Sequence, residues 1–318
     1  MPSNRVRLAA LLVAALLAAG CSGGGGGDAS PVMATTTIWA DVTEQVACGE
    51  IEVPSLVPAG ADPHSHEPSV RDADDLRAAR LVVANGLGLE GSLDDALETA
   101  AADGVQVHEV GESLAGHLDE PVADEPAADE DHDEDHAHEG EDPHLWMDPL
   151  LVAKAVPGIA AALRDVDDLG VTDADLDSCA DDYAEQLRAL TTEVEEGFAA
   201  IPEARRRIVT DHEALGHFAE RFDLEVVGAL VPSTDSLAEA NPRDLDELEA
   251  AMRAGGVEVV VVEHGSSLGL AESLTRRVGG EATVVELFTE SIGADGAPKS
   301  YVELLRADGR VLAEALAP

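Results

Sequence analysis

The chain has 318 residues, of which 45% are hydrophobic and 3% aromatic, with a formal net charge of −46. This length accommodates two domains with separate cores, built mainly from Ala, Val and Leu, and the charge excludes nucleic acid and anionic membrane surfaces as partners. The acidity is global: residues 117–144 hold 13 Asp or Glu and no Lys or Arg, yet removing them still leaves about −33.

At the N-terminus, Arg5 and Arg7 precede an apolar run from Leu8 to Ala19, which is too short to span a bilayer and has signal-peptide proportions. Leu17-Ala18-Ala19-Gly20-Cys21 resembles the bacterial lipobox. Residues 1–20 are therefore expected to be a lipoprotein signal peptide and Cys21 the lipidated residue. The glycines Gly23 to Gly27 make residues 21–30 a flexible tether. The competing reading is an ordinary secretory signal with an incidental Cys. In an exported chain Cys48 and Cys179 allow one pairing, and a disulfide is expected over two buried small side chains.

Strand and helix alternate over residues 31–170, the pattern of a parallel sheet flanked by helices. Strands are expected at 32–39, 51–57, 81–84 and 105–110. Helices are expected at 41–47, at 69–79 behind the N-cap Ser69, at 93–101 and at 149–163. Residues 111–142, rich in Glu, Asp, His, Ala and Pro, cannot bury enough surface to fold alone and are read as a disordered loop. Leu176, Ala180, Tyr183, Leu187, Leu190, Val194 and Phe198 keep helical spacing behind a Thr172/Asp175 capping pair, so 171–202 is a long linker helix closed by Pro202. Alternation resumes in 203–318, where Val257 to Val262 reads as a buried parallel strand. The expected fold is α/β: two lobes, each with a parallel sheet of about four strands flanked by helices, bridged by one long rigid helix.

Two Asp-Pro-His motifs stand about eighty residues apart, at Asp62-Pro63-His64 and Asp142-Pro143-His144. Proline stiffens each loop, and imidazole is the commonest metal ligand. His64, His212 and Glu290 each follow an expected strand, and ligands collect at the carboxyl ends of strands in such sheets. His64, His144, His212 and Glu290 form a candidate set whose three imidazoles suit zinc over magnesium or calcium. Asp62, Asp142 and Asp211 are candidate acceptors for the second ring N–H. Taken singly, each His reads as an ordinary loop residue; the recurrence of the motifs on both lobes lifts the set.

The segments 60–68, 81–90, 142–149, 210–218 and 287–293 resemble the zinc/manganese substrate-binding lipoproteins of bacterial ABC transporters, cluster A-I, zinc type. The resemblance implies two lobes bridged by a rigid helix, with the metal between them on His64, His144, His212 and a carboxylate at Glu290. In the family a third-position His goes with zinc and a Glu with manganese, so His212 implies Zn2+ as the transported ligand in preference to Mn2+. The implied partner is the permease of a metal ABC importer, for a monomer held outside the cytoplasmic membrane by its lipid anchor alone. Two departures, His66 and His217 at usually aromatic positions, place auxiliary ligands nearby. Glu290 stands where the family usually has Asp, so water or His66 competes for its place. His117, His132, His136 and His138 match the family's His-rich loop, read as low-affinity zinc capture against an incidental acidic linker.

Two other functions compete. A zinc-dependent hydrolase would use an open coordination position, but the chain has no His-Glu-x-x-His motif. A receptor for manganese or for chelated metal is the other; the chelate form would call for a wider, Arg- or aromatic-lined cleft. The acidic, Arg-over-Lys composition is expected to suit salty surroundings, with stability rising as salt is added.

Overall fold

The computed structural model describes residues 30–114 and 142–318, apart from 235, 237, 239, 280 and 281. The expected signal peptide, the tether with Cys21, and the loop histidines His117, His132, His136 and His138 lie outside the described residues. Among the described residues no helix is long and apolar enough to cross a membrane.

The N-terminal lobe alternates strands and helices in the order β1 (Val32–Ala34), α1 (Thr37–Val46), α2 (Val70–Ala78), β2 (Leu81–Ala84), α3 (Asp94–Ala102), β3 (Gln106–Glu109), α4 (Val110–Leu114) and α5 (Pro149–Arg164). After the long α6 (Asp173–Phe198) the second lobe runs β4 (Arg207–Thr210), α7 (Gly216–Arg221), β5 (Glu225–Ala229), α8 (Pro242–Gly255), β6 (Val259–Glu263), α9 (Gly269–Val278), β7 (Thr283–Leu287) and α10 (Tyr301–Leu316). Both sheets are parallel, ordered β1-β2-β3 and β5-β4-β6-β7. The expected two-lobed α/β architecture is the one observed.

Three local expectations need correction. The N-terminal sheet has three strands, not four, because residues 51–57 form only an isolated bridge at Ser55. That segment still bonds along β1, through Leu56 N–H to the Ala34 carbonyl and Val57 N–H to the Thr35 carbonyl. Pro54 and Pro58 interrupt it, since proline has no N–H to give a ladder. The expected loop 111–142 also begins too early: residues 111–114 are helical in α4, where Val110, Gly111 and Leu114 are buried. Residues 37–46 are helical from Thr37, so the strand read over 32–39 ends at Ala34, where the Thr36 hydroxyl accepts the Trp39 N–H as an N-cap.

All seven apolar positions singled out on α6 are buried, and the helix packs on α5 and α10. One core runs continuously through α1, α5, α6 and α10, while a smaller separate cluster lies in each lobe. Because the largest core is shared, the lobes are joined by packed side chains as well as by chain connectivity. Cys48, just past α1, is disulfide-bonded to Cys179 in the second turn of α6, with Cα atoms 5.5 Å apart.

Candidate metal centre

His64, His144, His212 and Glu290 come from four separate loops, two on each lobe, and their ligand atoms all lie within 4.8 Å of one another. His212 follows β4 by two residues and Glu290 follows β7 by three, the sheet edge where an α/β fold places ligands. His144 is fully buried, while His212 and Glu290 are each 5% exposed. His64 is half-buried at the rim.

The geometry converges on one point. His64 Nε2 and His144 Nε2 are 3.3 Å apart, and Glu290 Oε1 stands 3.5 Å from His144 Nε2 and 3.4 Å from His212 Nε2. A tetrahedron with metal–ligand bonds of about 2.0–2.1 Å has edges of roughly 3.3–3.4 Å. His212 Nε2 and both Glu290 carboxylate oxygens are buried without a hydrogen-bond partner, which costs free energy unless something else satisfies them.

Carboxylates behind the rings set their direction. Asp142 Oδ1 lies 2.7 Å from His144 Nδ1, and Asp211 Oδ1 lies 3.0 Å from His212 Nδ1. A carboxylate there holds the proton on Nδ1 and turns the Nε2 lone pair inward. The third expected pairing does not form. Asp62 Oδ1 accepts the His64 backbone N–H, and its Oδ2 accepts the hydroxyls of Ser65 and Ser236, so its capacity goes to the loop and not to the ring. Of the auxiliary histidines, His217 bonds the Asp142 carbonyl through Nε2 at 3.0 Å, and neither it nor His66 joins the four.

Charge follows from these contacts. Burial, the largest influence on His144, disfavours the imidazolium, but the hydrogen bond to Asp142 and the nearby Glu290 carboxylate outweigh it and raise the pKa to about 9. The same opposition on His212, with Asp211 and Glu290 as partners, ends at about 10. Burial alone would raise the Glu290 carboxyl, yet the two imidazolium partners hold it well below the usual carboxylate range. Burial drives His64 down. Without metal the site thus balances its carboxylates with protons on two rings.

The 81–90 segment frames the second motif. Glu90, 2% exposed, accepts the Asn85 N–H at 2.8 Å and the Gly86 N–H at 3.2 Å. Asn85 Nδ2 then donates to the Pro143 carbonyl at 2.8 Å, directly ahead of His144. Burial lifts the Glu90 carboxyl to about 7, against the bonds from Thr35, Asn85 and Gly86. Trp146 Nε1 donates to the Thr289 carbonyl at 2.6 Å, linking the His144 loop to the Glu290 loop across the lobes.

One glycine gives a direct test. A Cβ on Gly216 would sit 2.4 Å from Asp142 Oδ2, so Gly216→Ala must displace the carboxylate that orients His144. Metal affinity is expected to fall about tenfold, the low end for disturbing such a partner, while the fold is retained. Calorimetric titration of the purified variant checks it, and an unchanged dissociation constant would mean that Asp142 adjusts freely.

Fold and site together are those of a two-lobed metal-binding receptor. The sequence profile of ZnuA, described as zinc-uptake complex component A, periplasmic, matches residues 32–315. The zinc-binding protein TroA of Treponema pallidum is 27% identical over 296 residues, covering 91% of this chain and 90% of that protein. The manganese-binding lipoprotein MntA of Bacillus subtilis is 28% identical over 289 residues, covering 86% and 84%. The solved structure of the Treponema pallidum zinc-binding protein superposes with a TM-score of 0.76 at 25% identity, covering 91% of this chain and 99% of that one. The chain belongs to the ZnuA family, a family of transport receptors and not of enzymes.

Glu263 does not figure in the sequence reading. It ends β6, its N–H donates to Asp211 Oδ2 at 2.6 Å, and its Oε2 accepts the Thr289 N–H at 2.8 Å. The one available signal was a carboxylate placed immediately after the buried run 257–262, at the ligand-bearing edge.

Proposed function

We propose that this protein captures Zn2+ outside the cytoplasm and delivers it to the permease of a metal ABC importer, with His64, His144, His212 and Glu290 as the four ligands. The observation that carries the reading is the set of 3.3–3.5 Å separations among three inward ring nitrogens and one carboxylate oxygen. Three of the six ligand–ligand separations thus match the edge length of a zinc tetrahedron, and all six are within 4.8 Å. Three imidazoles on one ion favour zinc over harder cations, and the Asp142 and Asp211 contacts supply the orientation that zinc-bound histidines need. Relatives carry both metals in their names, so manganese is the specific competitor. Attachment through Cys21 would keep the receptor at the membrane surface beside its permease.

His144→Ala tests the site. Structural zinc binds with an apparent 10–16 kcal/mol, so removing one of four ligands should cost about 3 kcal/mol, roughly a hundredfold in affinity. Zinc titration of the variant, with circular dichroism as the control for fold, reads the loss; retention of wild-type affinity would remove His144 from the site. Metal analysis of protein purified without added metal, followed by competition, separates the two cations. Zinc displacing manganese is expected, and manganese held against zinc would overturn the assignment.

A further inference from the structure

Glu263 lies between the two C-terminal ligands without touching the point on which the four converge. Strand β6 sits between β4 and β7 in the sheet. β4 leads into Asp211 and His212, and β7 leads into Thr289 and Glu290. Glu263 is the residue of β6 paired with Leu287, the last of β7. Its main chain and side chain serve different neighbours. The N–H donates to Asp211 Oδ2 at 2.6 Å, leaving Asp211 Oδ1 for the His212 ring and backbone. The carboxylate accepts the Thr289 N–H at 2.8 Å. The Thr289 carbonyl is meanwhile held by Trp146 Nε1 from the other lobe. Thr289 is thereby fixed on both sides, and Glu290 is the next residue.

From this arrangement we propose that Glu263 is the positioning residue of the C-terminal half of the metal site, setting His212 through Asp211 and Glu290 through Thr289. The proposal rests on His212 and Glu290 being ligands. Its physical basis is the narrow tolerance of a metal site, about ±0.2 Å in ligand distance. A loop peptide released from its anchor does not hold a carboxylate that tightly, and outer partners of this kind are worth about 10–100-fold in affinity.

Two substitutions in the full mature chain separate reach from the carboxyl group itself. Glu263→Asp keeps a carboxyl group but withdraws the acceptor from Thr289 by one methylene. Glu263→Gln keeps an acceptor oxygen at the same reach and replaces the carboxyl, whose pKa burial and the nearby Glu290 push well up, by a neutral amide. Both leave the backbone N–H to Asp211 in place. Zinc affinity is expected to fall about 10–100-fold in Glu263→Asp and to stay within about threefold of wild type in Glu263→Gln. The zinc off-rate into a chelator should rise in the same order, with the unfolding midpoint of each metal-free variant close to wild type. Hydrogen exchange of the Thr289 amide, read without metal, should accelerate in Glu263→Asp only. The reverse order of affinities, equal losses, or no loss in either variant overturns the positioning role. The exchange result does not depend on metal, so it stands apart from a failure of the ligand assignment, which would show as wild-type zinc affinity in His212→Ala and Glu290→Ala.

Discussion

Zinc binding at neutral pH should release about two protons, and apparent affinity should climb roughly a hundredfold for each pH unit between about 6.5 and 8.5. In the metal-free site His144 holds its proton to about pH 9 and His212 to about pH 10, because Asp142, Asp211 and Glu290 outweigh the burial that opposes both charges. Both protons must leave before Nε2 can bind a cation. Over two pH units the competition amounts to about 5.5 kcal/mol, more than the loss of a single ligand. Titration calorimetry in two buffers of different ionisation enthalpy measures the proton count; a count near zero at pH 7 would refute it. The metal-free fold should respond in the opposite sense. Rings whose pKa rises on folding stabilise the protein fully below the unfolded value near 6.5, and that contribution disappears as pH rises through about 9 and 10. The thermal shift produced by zinc should therefore widen from pH 6 to 9, as the metal replaces the protons that balance the carboxylates.

Replacing both Cys48 and Cys179 by serine should lower stability by about 5 kcal/mol on the chain-entropy account of a cross-link across 131 residues. At a few degrees per kcal/mol, the unfolding midpoint should drop by roughly 10 °C or more. The bridge ties the end of α1 to α6, which otherwise meet only through packing in the shared core. Reduction acts mostly on the unfolded chain, by freeing it to expand, so the native site should be preserved. Zinc affinity at 25 °C measured alongside the denaturation curve distinguishes the two effects. An unchanged midpoint would mean that the unfolded chain is held compact by other means, and a large loss of affinity would mean that the bridge shapes the cleft.

The four candidate ligands were readable because their signals are local: a ring after Asp-Pro, or a carboxylate after a strand, recurring in order along the chain. The α6 stripe was readable for the same reason, since helical spacing survives in composition. What escaped depends on partners far away in sequence. Asp62 looked like a ring acceptor, but Ser236, 174 positions on, occupies its second oxygen. His217 looked like a spare ligand, but the Asp142 carbonyl, 75 positions back, takes its Nε2. Glu263 bonds across separations of 52 and 26 residues, and no window of sequence holds such a pair. The bridge at Ser55 failed as a strand for a local reason that could have been weighed, since two prolines flank it.

The even division of ligands between the lobes has a consequence for release. On the proposed assignment each lobe by itself offers only a bidentate chelator: His64 with His144 on one side, His212 with Glu290 on the other. Tight binding is then a product of two weak affinities multiplied by the effective concentration that the shared core imposes. A separation of the lobes by about 1 Å far exceeds the ±0.2 Å that coordination tolerates, so it breaks the multiplication without breaking either chelate. The cation would be left on one half-site with an affinity low enough to surrender it. Release in this design requires no ligand to be protonated and no helix to unfold, only a docking partner able to hold the two halves slightly apart.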